Sequence, residues 1–545
     1  MKKPLFTADK MVWLIALFFC LPFMALLLQL FVSEAAIWQH LTTTVLPTYL
    51  SQSLLLLAWV ALGTLLIGVS TAWLVASHDF PGRTYFQWLL ILPMAMPAYI
   101  VAYAYTWWLD VAGPIQTALR SHFDWSFSDY YFPNIRSFSG AVVVLTLVLY
   151  PYVYLLARAA FQKQTKTLSE VHQLSGGSTT SFFYRVALPL ARPAIFGGLA
   201  LVMMETLADY GTVQYFGVNT LTTGILKTWF GLGSLSGAAQ IAMLLLTMVI
   251  LVMLLEKVWR GQAKYDTANN TGTTQLRSIN SSCKKWLASC WCMLVVVLGF
   301  VLPATLLVVM AFKSQIASWY HDFLSVTIDT LWLAGITALI TVGAALVLMY
   351  VKRIHHGTSH RAVIQAMSLG YAIPGLVIAV GVTIAFGWLD QGFNSIRSMF
   401  SNASPVLFFS GGFLALITAY VMRFLAVAIQ PIDAAYQSIR PHLDEASLLT
   451  GKNSSQTFRQ IHMPLLKSSV WTAMLLVFVD LLKELPATLV LRPFNFNTLA
   501  VKAYELASDE RLADAAIPAL SIVAVGLIPV LLLNQRINAA HDNHA

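Results

Sequence analysis

Leu168-Ser-Glu170-Val-His-Gln-Leu174-Ser-Gly176 is followed by Phe183 and by Leu188-Pro189-Leu190; Leu443-Asp-Glu445-Ala-Ser-Leu-Leu449-Thr-Gly451 is followed by Phe458 and by Met463-Pro464-Leu465. Every match between the two stretches falls at an offset of 275 residues, and the register runs on to Leu207 and Leu482. A weaker echo pairs Ala95-Met-Pro97 with Ala372-Ile-Pro374 at an offset of 277. Self-similarity at one fixed spacing is the mark of a duplicated architecture, so the chain is organised as two homologous halves.

Around these loops the chain is apolar. Of its 545 residues 58% are hydrophobic and 10% charged, where a soluble domain carries about 25% charged residues to clothe its surface. Water is therefore not its main solvent, and disorder, coiled coil, collagen and a soluble nucleic-acid binder are excluded. Twelve apolar stretches stand near 11–33, 50–76, 85–109, 139–161, 194–217, 236–256, 286–312, 330–351, 363–388, 407–429, 469–491 and 513–534. Each has about the length that spans a ~30 Å hydrocarbon core as helix. Lipid offers the backbone no hydrogen-bond partner, so such segments are helical, and they are too long for barrel strands. The expected fold is all-α and polytopic: a first half over 1–257, a linker over 258–285 and a second half over 286–545, six spans in each. The linker, Arg260-Gly-Gln-Ala-Lys-Tyr-Asp-Thr-Ala-Asn-Asn-Thr-Gly-Thr-Thr-Gln, is too polar to pack a core. An even number of spans per half brings both halves in from the same side, related by an axis along the membrane normal.

Lys and Arg set the orientation. One side collects Lys2, Lys3, Lys10, Arg83, Lys163, Lys166, Arg185, Arg192, Lys257, Arg260, Lys264, Lys284, Lys285, Lys352, Arg353, Arg361, Arg440, Lys452, Arg459 and Lys467, and the other far fewer. The positive-inside rule places that basic side, with both termini, in the cytoplasm, and accounts for the net charge of +9 as a topology signal. The first apolar run exceeds the roughly 7–15 residues of a signal-peptide core, so it reads as a retained helix. Cys20, Cys283, Cys290 and Cys292 suit neither a disulfide frame nor a zinc site.

The repeated loops, 163–193 and 431–468, fall on the basic side and are longer than helix connections usually need. Apolar residues recur at helical spacing from Glu170 to Leu174 and from Glu445 to Leu449, and Gly176 and Gly451 stand where a helix stops in a left-handed turn. Pro189 and Pro464 are expected to restart the chain into a span. A short helix, a turn and a second helix project from the membrane twice, in fixed register, which contact with lipid headgroups does not require.

At these residues the chain resembles the permease subunits of binding-protein-dependent ABC importers, whose loop has the form E-A-A, three residues, G, about nine residues, then I-x-L-P. Glu445-Ala446-Ser447, Gly451, Ile461 and Pro464 fit it; the first copy departs, with Val171-His172 in place of the alanines. The resemblance implies the type I ABC importer permease fold, in which this loop docks on a cytoplasmic ATPase. It assigns that coupling role to Glu170, Gly176, Pro189, Glu445, Ala446, Gly451 and Pro464. Tyr150-Pro-Tyr152-Val-Tyr154-Leu-Leu-Ala-Arg158, Leu207-Ala-Asp209-Tyr210-Gly211 and Glu484-Leu-Pro486-Ala-Thr488 look like the fused two-half permeases of ferric iron importers. It further implies a bacterial inner-membrane protein without catalysis or cofactor of its own, partnered by an ATPase dimer and a periplasmic solute-binding protein.

The acids bear on the cargo. Glu205 and Asp209 lie four apart in the fifth span, and Asp480 and Glu484 take the equivalent places in the eleventh. This spacing puts each pair on one helical face, expected toward the axis. Carboxylates near mid-membrane cost about 2.5–3.5 kcal/mol each on insertion scales and so imply water, a partner or a cation. Oxygen ligands suit a hard cation such as Fe3+, with Tyr210 and Tyr215 as further oxygen donors, in a transient path and not a stable metal site. The structural alternative is that Lys483 and Arg423 neutralise these acids as ion pairs.

No G-x-x-x-x-G-K-[ST] motif occurs, Gly231-Leu-Gly233 follows no strand, and His355, His356 and His360 belong to a basic loop. An ABC permease for thiamine or phosphonate, and an ATP-independent secondary transporter or channel, stay open as alternatives.

Overall fold

The computed structural model describes residues 5–164, 172, 174, 176, 178–260, 277–278, 281–314, 320–354, 358–400 and 404–542. Among them eleven helices are long and apolar enough to cross a membrane, and one bent pair brings the number to twelve. Besides helices there is a two-residue parallel pairing of His78–Asp79 with Arg277–Ser278. Most of the 258–285 linker lies outside the described residues.

The expected window 85–109 is a broken span: Arg83–Ala95 meets Ala98–Phe123 at 91°. Pro93 and Pro97 explain the break, since neither has an N–H to give the helical ladder. Carbonyls freed there need donors inside the protein. The helix Phe138–Gln162 supplies them from one face at a spacing of four: Tyr150 Oη donates to Leu90 O at 2.9 Å, and Tyr154 Oη and Arg158 Nη1 to Gln87 O at 3.0 and 3.1 Å. The tyrosine-rich motif of this helix is thus the brace of a broken neighbour. Close helix approach adds to it, because Gly68 and Gly198 both abut Val153, where a Cβ would collide.

Two further windows shift. The span expected at 194–217 is the helix Thr180–Ala208, and that expected at 469–491 is Ser454–Lys483. Both begin well before Pro189 and Pro464. The prolines do not restart a helix; each follows a π-helical turn, Phe183–Ala187 or Phe458–His462, inside a continuous one. The wider turn takes in the missing N–H without ending the helix. Both helices then stop one residue before an acid, at Ala208 and Lys483.

The duplication holds element by element. Phe138 and Phe413 open equivalent helices, Leu188–Ala208 and Met463–Lys483 are the same length, and Gly211 and Pro486 open the next short helices, all at an offset of 275. Each of the two compact units nevertheless draws on both halves: one comprises Met1–Leu41, Gly224–Leu246 and Ala317–Lys502, the other Thr42–Thr223, Thr247–Ile316 and Ala503–Ala545. In the first unit the N-terminal helix Leu5–Gln29 packs on Gly375–Phe400 and Tyr320–Ile354. In the second, Leu302–Phe312 packs on Leu512–Asp542 and Ala98–Leu109. Outward faces stay apolar, as Leu54, Leu55, Trp59, Leu62 and Leu66 on the helix Leu46–Ser77 show, a stripe suited to lipid.

Candidate functional site

The second repeated loop builds from the helix His442–Leu449. Lys452 N donates to Ser447 O at 3.2 Å as the chain turns through Gly451 at φ 77°. This closure requires the left-handed conformation that glycine takes without strain. Asn453 then caps the next helix with a reciprocal box to Gln456. In the first loop Gly176 also stands at φ 77°. Neither glycine has an atom within 4 Å of where a Cβ would lie. The equivalent leucines Leu174 and Leu449 are 89% and 90% exposed. Glu445 and Ala446 are exposed too, and Glu445 Oε2 lies 3.1 Å from His442 Nδ1. Glu170 lies outside the described residues.

Both loops are moored by an aromatic contact at matching places, Phe183 on Trp73 at 4.9 Å and Phe458 on Tyr350 at 4.8 Å between ring centroids. The second has an additional polar joint that the sequence did not reveal. Asp444 accepts from Arg353 Nε at 2.8 Å through Oδ2, and its Oδ1 lies 2.7 Å from Nε2 of buried His462. Arg353 also donates to the carbonyls of Tyr436 and Ile439. Burial pushes the Asp444 carboxyl up, but the hydrogen bonds from His462 and Arg353 outweigh it and hold it below the usual carboxylate range. The equivalent positions at an offset of 275 are Ser169, Ala187 and His78, so the first half lacks this set.

The acids do not sit as two helical pairs. Glu205 and Asp480 are helical and half-buried, but Asp209 and Glu484 are the first residues beyond their helices, with extended ψ of 131° and 114°. Each instead receives the start of the short helix that follows. Asp209 accepts from Thr212 Oγ1 at 2.9 Å and Val213 N at 3.1 Å; Glu484 accepts from Ala487 N at 3.1 Å. A carboxylate at a helix N-terminus satisfies N–H groups that lack partners. Glu484 is also neutralised by Arg423, Nη1 to Oε1 3.1 Å, with both side chains buried. The ion-pair alternative therefore holds for Glu484 with Arg423. In the first half Val148 stands where Arg423 does, and Tyr210 packs toward Tyr504 with the hydroxyls 3.5 Å apart.

Residues 64–259 and 347–542 each match the family described as binding-protein-dependent transport system inner membrane component. The chain is similar to the Fe(3+)-transport system permease protein FbpB 2 of Haemophilus influenzae, 26% identical over 98% of this chain and 99% of that one. It is 23% identical to the ferric transport system permease protein FbpB of Actinobacillus pleuropneumoniae over 81% of this chain, spanning 64% of that relative. The molybdenum transport system permease protein ModB of Escherichia coli K12 matches 37% of this chain at 24% identity. With two copies of the family module covering most of its length, the chain belongs to the inner membrane components of binding-protein-dependent transport systems.

Proposed function

We propose that the chain is the ferric iron permease of an ABC importer, in which the halves 1–257 and 286–545 form the translocation path. In this reading a periplasmic binding protein delivers the cargo, and a cytoplasmic ATPase dimer grips loops 163–193 and 431–468 and drives uptake. Both termini then face the cytoplasm, a placement that the distribution of Lys and Arg supports. The observation that carries the reading is the pair of leucines, Leu174 and Leu449, standing almost fully exposed beside glycines at φ 77° in both loops. An apolar side chain presented to water twice in one register fits a partner surface that covers it. The ATPases close on ATP, and their differential grip on the two states shifts the population of the permease. Ferric iron is favoured as cargo by the relatives named for it, one of them matching over nearly the whole chain.

The test is uptake of labelled ferric iron, thiamine, phosphonate and molybdate in a strain deleted for this chain and complemented with it. Iron uptake that needs ATP and the ATPase supports the reading. Uptake by the purified chain alone in vesicles, without nucleotide, overturns the importer class, and restored uptake of another solute but not iron overturns the cargo.

A further inference from the structure

The two halves treat their helix-terminating acids differently, and the difference lies in oxygen chemistry. Where the second half has Leu376, Val380, Leu485 and Val490, the first has Tyr99, Tyr103, Tyr210 and Tyr215. The scaffold packs with aliphatic side chains at these places, so the phenols are not a demand of the fold. Tyr103 is wholly buried, its ring lies 4.7 Å from that of Tyr215 and 5.8 Å from that of Tyr99, and its hydroxyl makes no hydrogen bond. An orphan hydroxyl in such surroundings costs stability with no packing return, since phenylalanine would fill the same space. Tyr504 and Asp209 lie near enough to bear electrostatically on that hydroxyl. Tyr504 Oη is 3.5 Å from Tyr210 Oη, and the Asp209 carboxylate has lone-pair capacity beyond the hydrogen bonds it accepts from Thr212 and Val213. Beside this group the Arg136 guanidinium sits 5.2 Å from the Tyr215 ring, held by Asp110 at 3.1 Å and Glu510 at 2.6 Å. Among the described residues no group of three or more His, Cys, Asp and Glu side chains is placed to hold a metal ion.

We infer that the hydroxyls of Tyr103, Tyr210, Tyr215 and Tyr504, with the carboxylate of Asp209, form a one-sided station for a hard trivalent cation in transit. The inference rests on the ferric iron reading and names the compact unit that handles the ion, the one comprising Thr42–Thr223, Thr247–Ile316 and Ala503–Ala545. Hard cations prefer oxygen ligands. The phenols serve as neutral donors, so no proton transfer is needed, and a single carboxylate keeps the hold weak enough for release. In the second half the equivalent acid, Glu484, is already taken up in the ion pair with Arg423.

The experiment uses the complete transporter in the deletion strain, with Tyr103→Phe/Tyr210→Phe and, separately, Asp209→Asn. Each keeps the side-chain shape, and the asparagine keeps an acceptor for Thr212 and Val213. Iron uptake is expected to fall about tenfold at wild-type membrane abundance. The purified full chain is then titrated with Tb3+, a hard trivalent ion whose emission neighbouring tyrosines sensitise; emission should fall in the phenylalanine variant. Wild-type uptake and emission in both variants overturns the station, as does a loss of uptake that only follows a loss of abundance. Absence of iron uptake by the wild-type chain marks failure of the ferric reading itself.

Discussion

Arg353 and Asp444, 91 residues apart in sequence, meet Nε to Oδ2 at 2.8 Å and fasten the loop helix His442–Leu449 to the end of a membrane-spanning helix. Under the proposed coupling role the loop transmits force, and such a fastening is what that requires. Asp444→Ala should loosen it by about 1–2 kcal/mol, the range for charge-assisted hydrogen bonds that are partly solvated. ATP-driven uptake should fall severalfold at unchanged membrane abundance, and proteolysis of the loop in inside-out vesicles should accelerate. Because the folded Asp444 carboxyl titrates below its unfolded value, its stabilisation is present above the usual carboxylate pKa of about 4 and is lost as pH falls through the folded value. Protease resistance of the loop should therefore hold from pH 8 down to about 5 and fail only in stronger acid.

Leu174 and Leu449 touch little of their own chain. Replacing both with serine should change stability by no more than about 0.5 kcal/mol. If a partner covers them, co-purification of the ATPase should drop about tenfold or more, by the loss of two buried leucines. Unchanged recovery of the ATPase would remove the leucines from the contact.

Gly176 and Gly451 separate backbone strain from contact. Alanine at φ 77° costs about 1–2 kcal/mol, whereas asparagine tolerates that conformation. Open space surrounds both positions, so tryptophan adds only strain to the free chain but obstructs a docked partner. Gly451→Asn should retain most uptake; Gly176→Trp/Gly451→Trp should leave the permease in the membrane and abolish uptake. Equal activity in both variants would show that nothing docks there.

The Arg423 and Glu484 pair is buried on both sides. Arg423→Met leaves a carboxylate without its cation and should destabilise by about 3–5 kcal/mol, while Arg423→Met with Glu484→Gln should recover most of that. Thermal unfolding in detergent reads the difference. Gly375→Ala should mimic the single variant, because a Cβ there collides with the Arg423 guanidinium and the Glu484 carboxylate.

Each compact unit contains helices from both halves. A fragment ending in the 261–276 stretch should be degraded when expressed alone, since Leu302–Phe312 and Leu512–Asp542 are missing from their packing places. Co-expression with the remainder should restore both fragments, as immunoblotting of membranes will show.

Much of this could be read from residues alone. The 275-residue offset, the count of spans and the left-handed glycines follow from spacing and composition, which are local properties. What stayed hidden depends on partners far away in the chain. Nothing near Asp444 announces Arg353 or His462, and nothing near Tyr150 announces the freed carbonyls of Gln87 and Leu90. Spacing puts Asp209 and Glu484 on helical faces because it assumes a helix that continues; the helices end just before them, so they serve as caps instead. Pro189 and Pro464 misled for a related reason, as a π turn hides from a period of 3.6.

The sharing of helices between sequence halves bears on how such a chain evolves. Once duplicated segments cross over, a substitution on an outer helix of one copy is screened against the core of the other, so drift in the two copies becomes correlated.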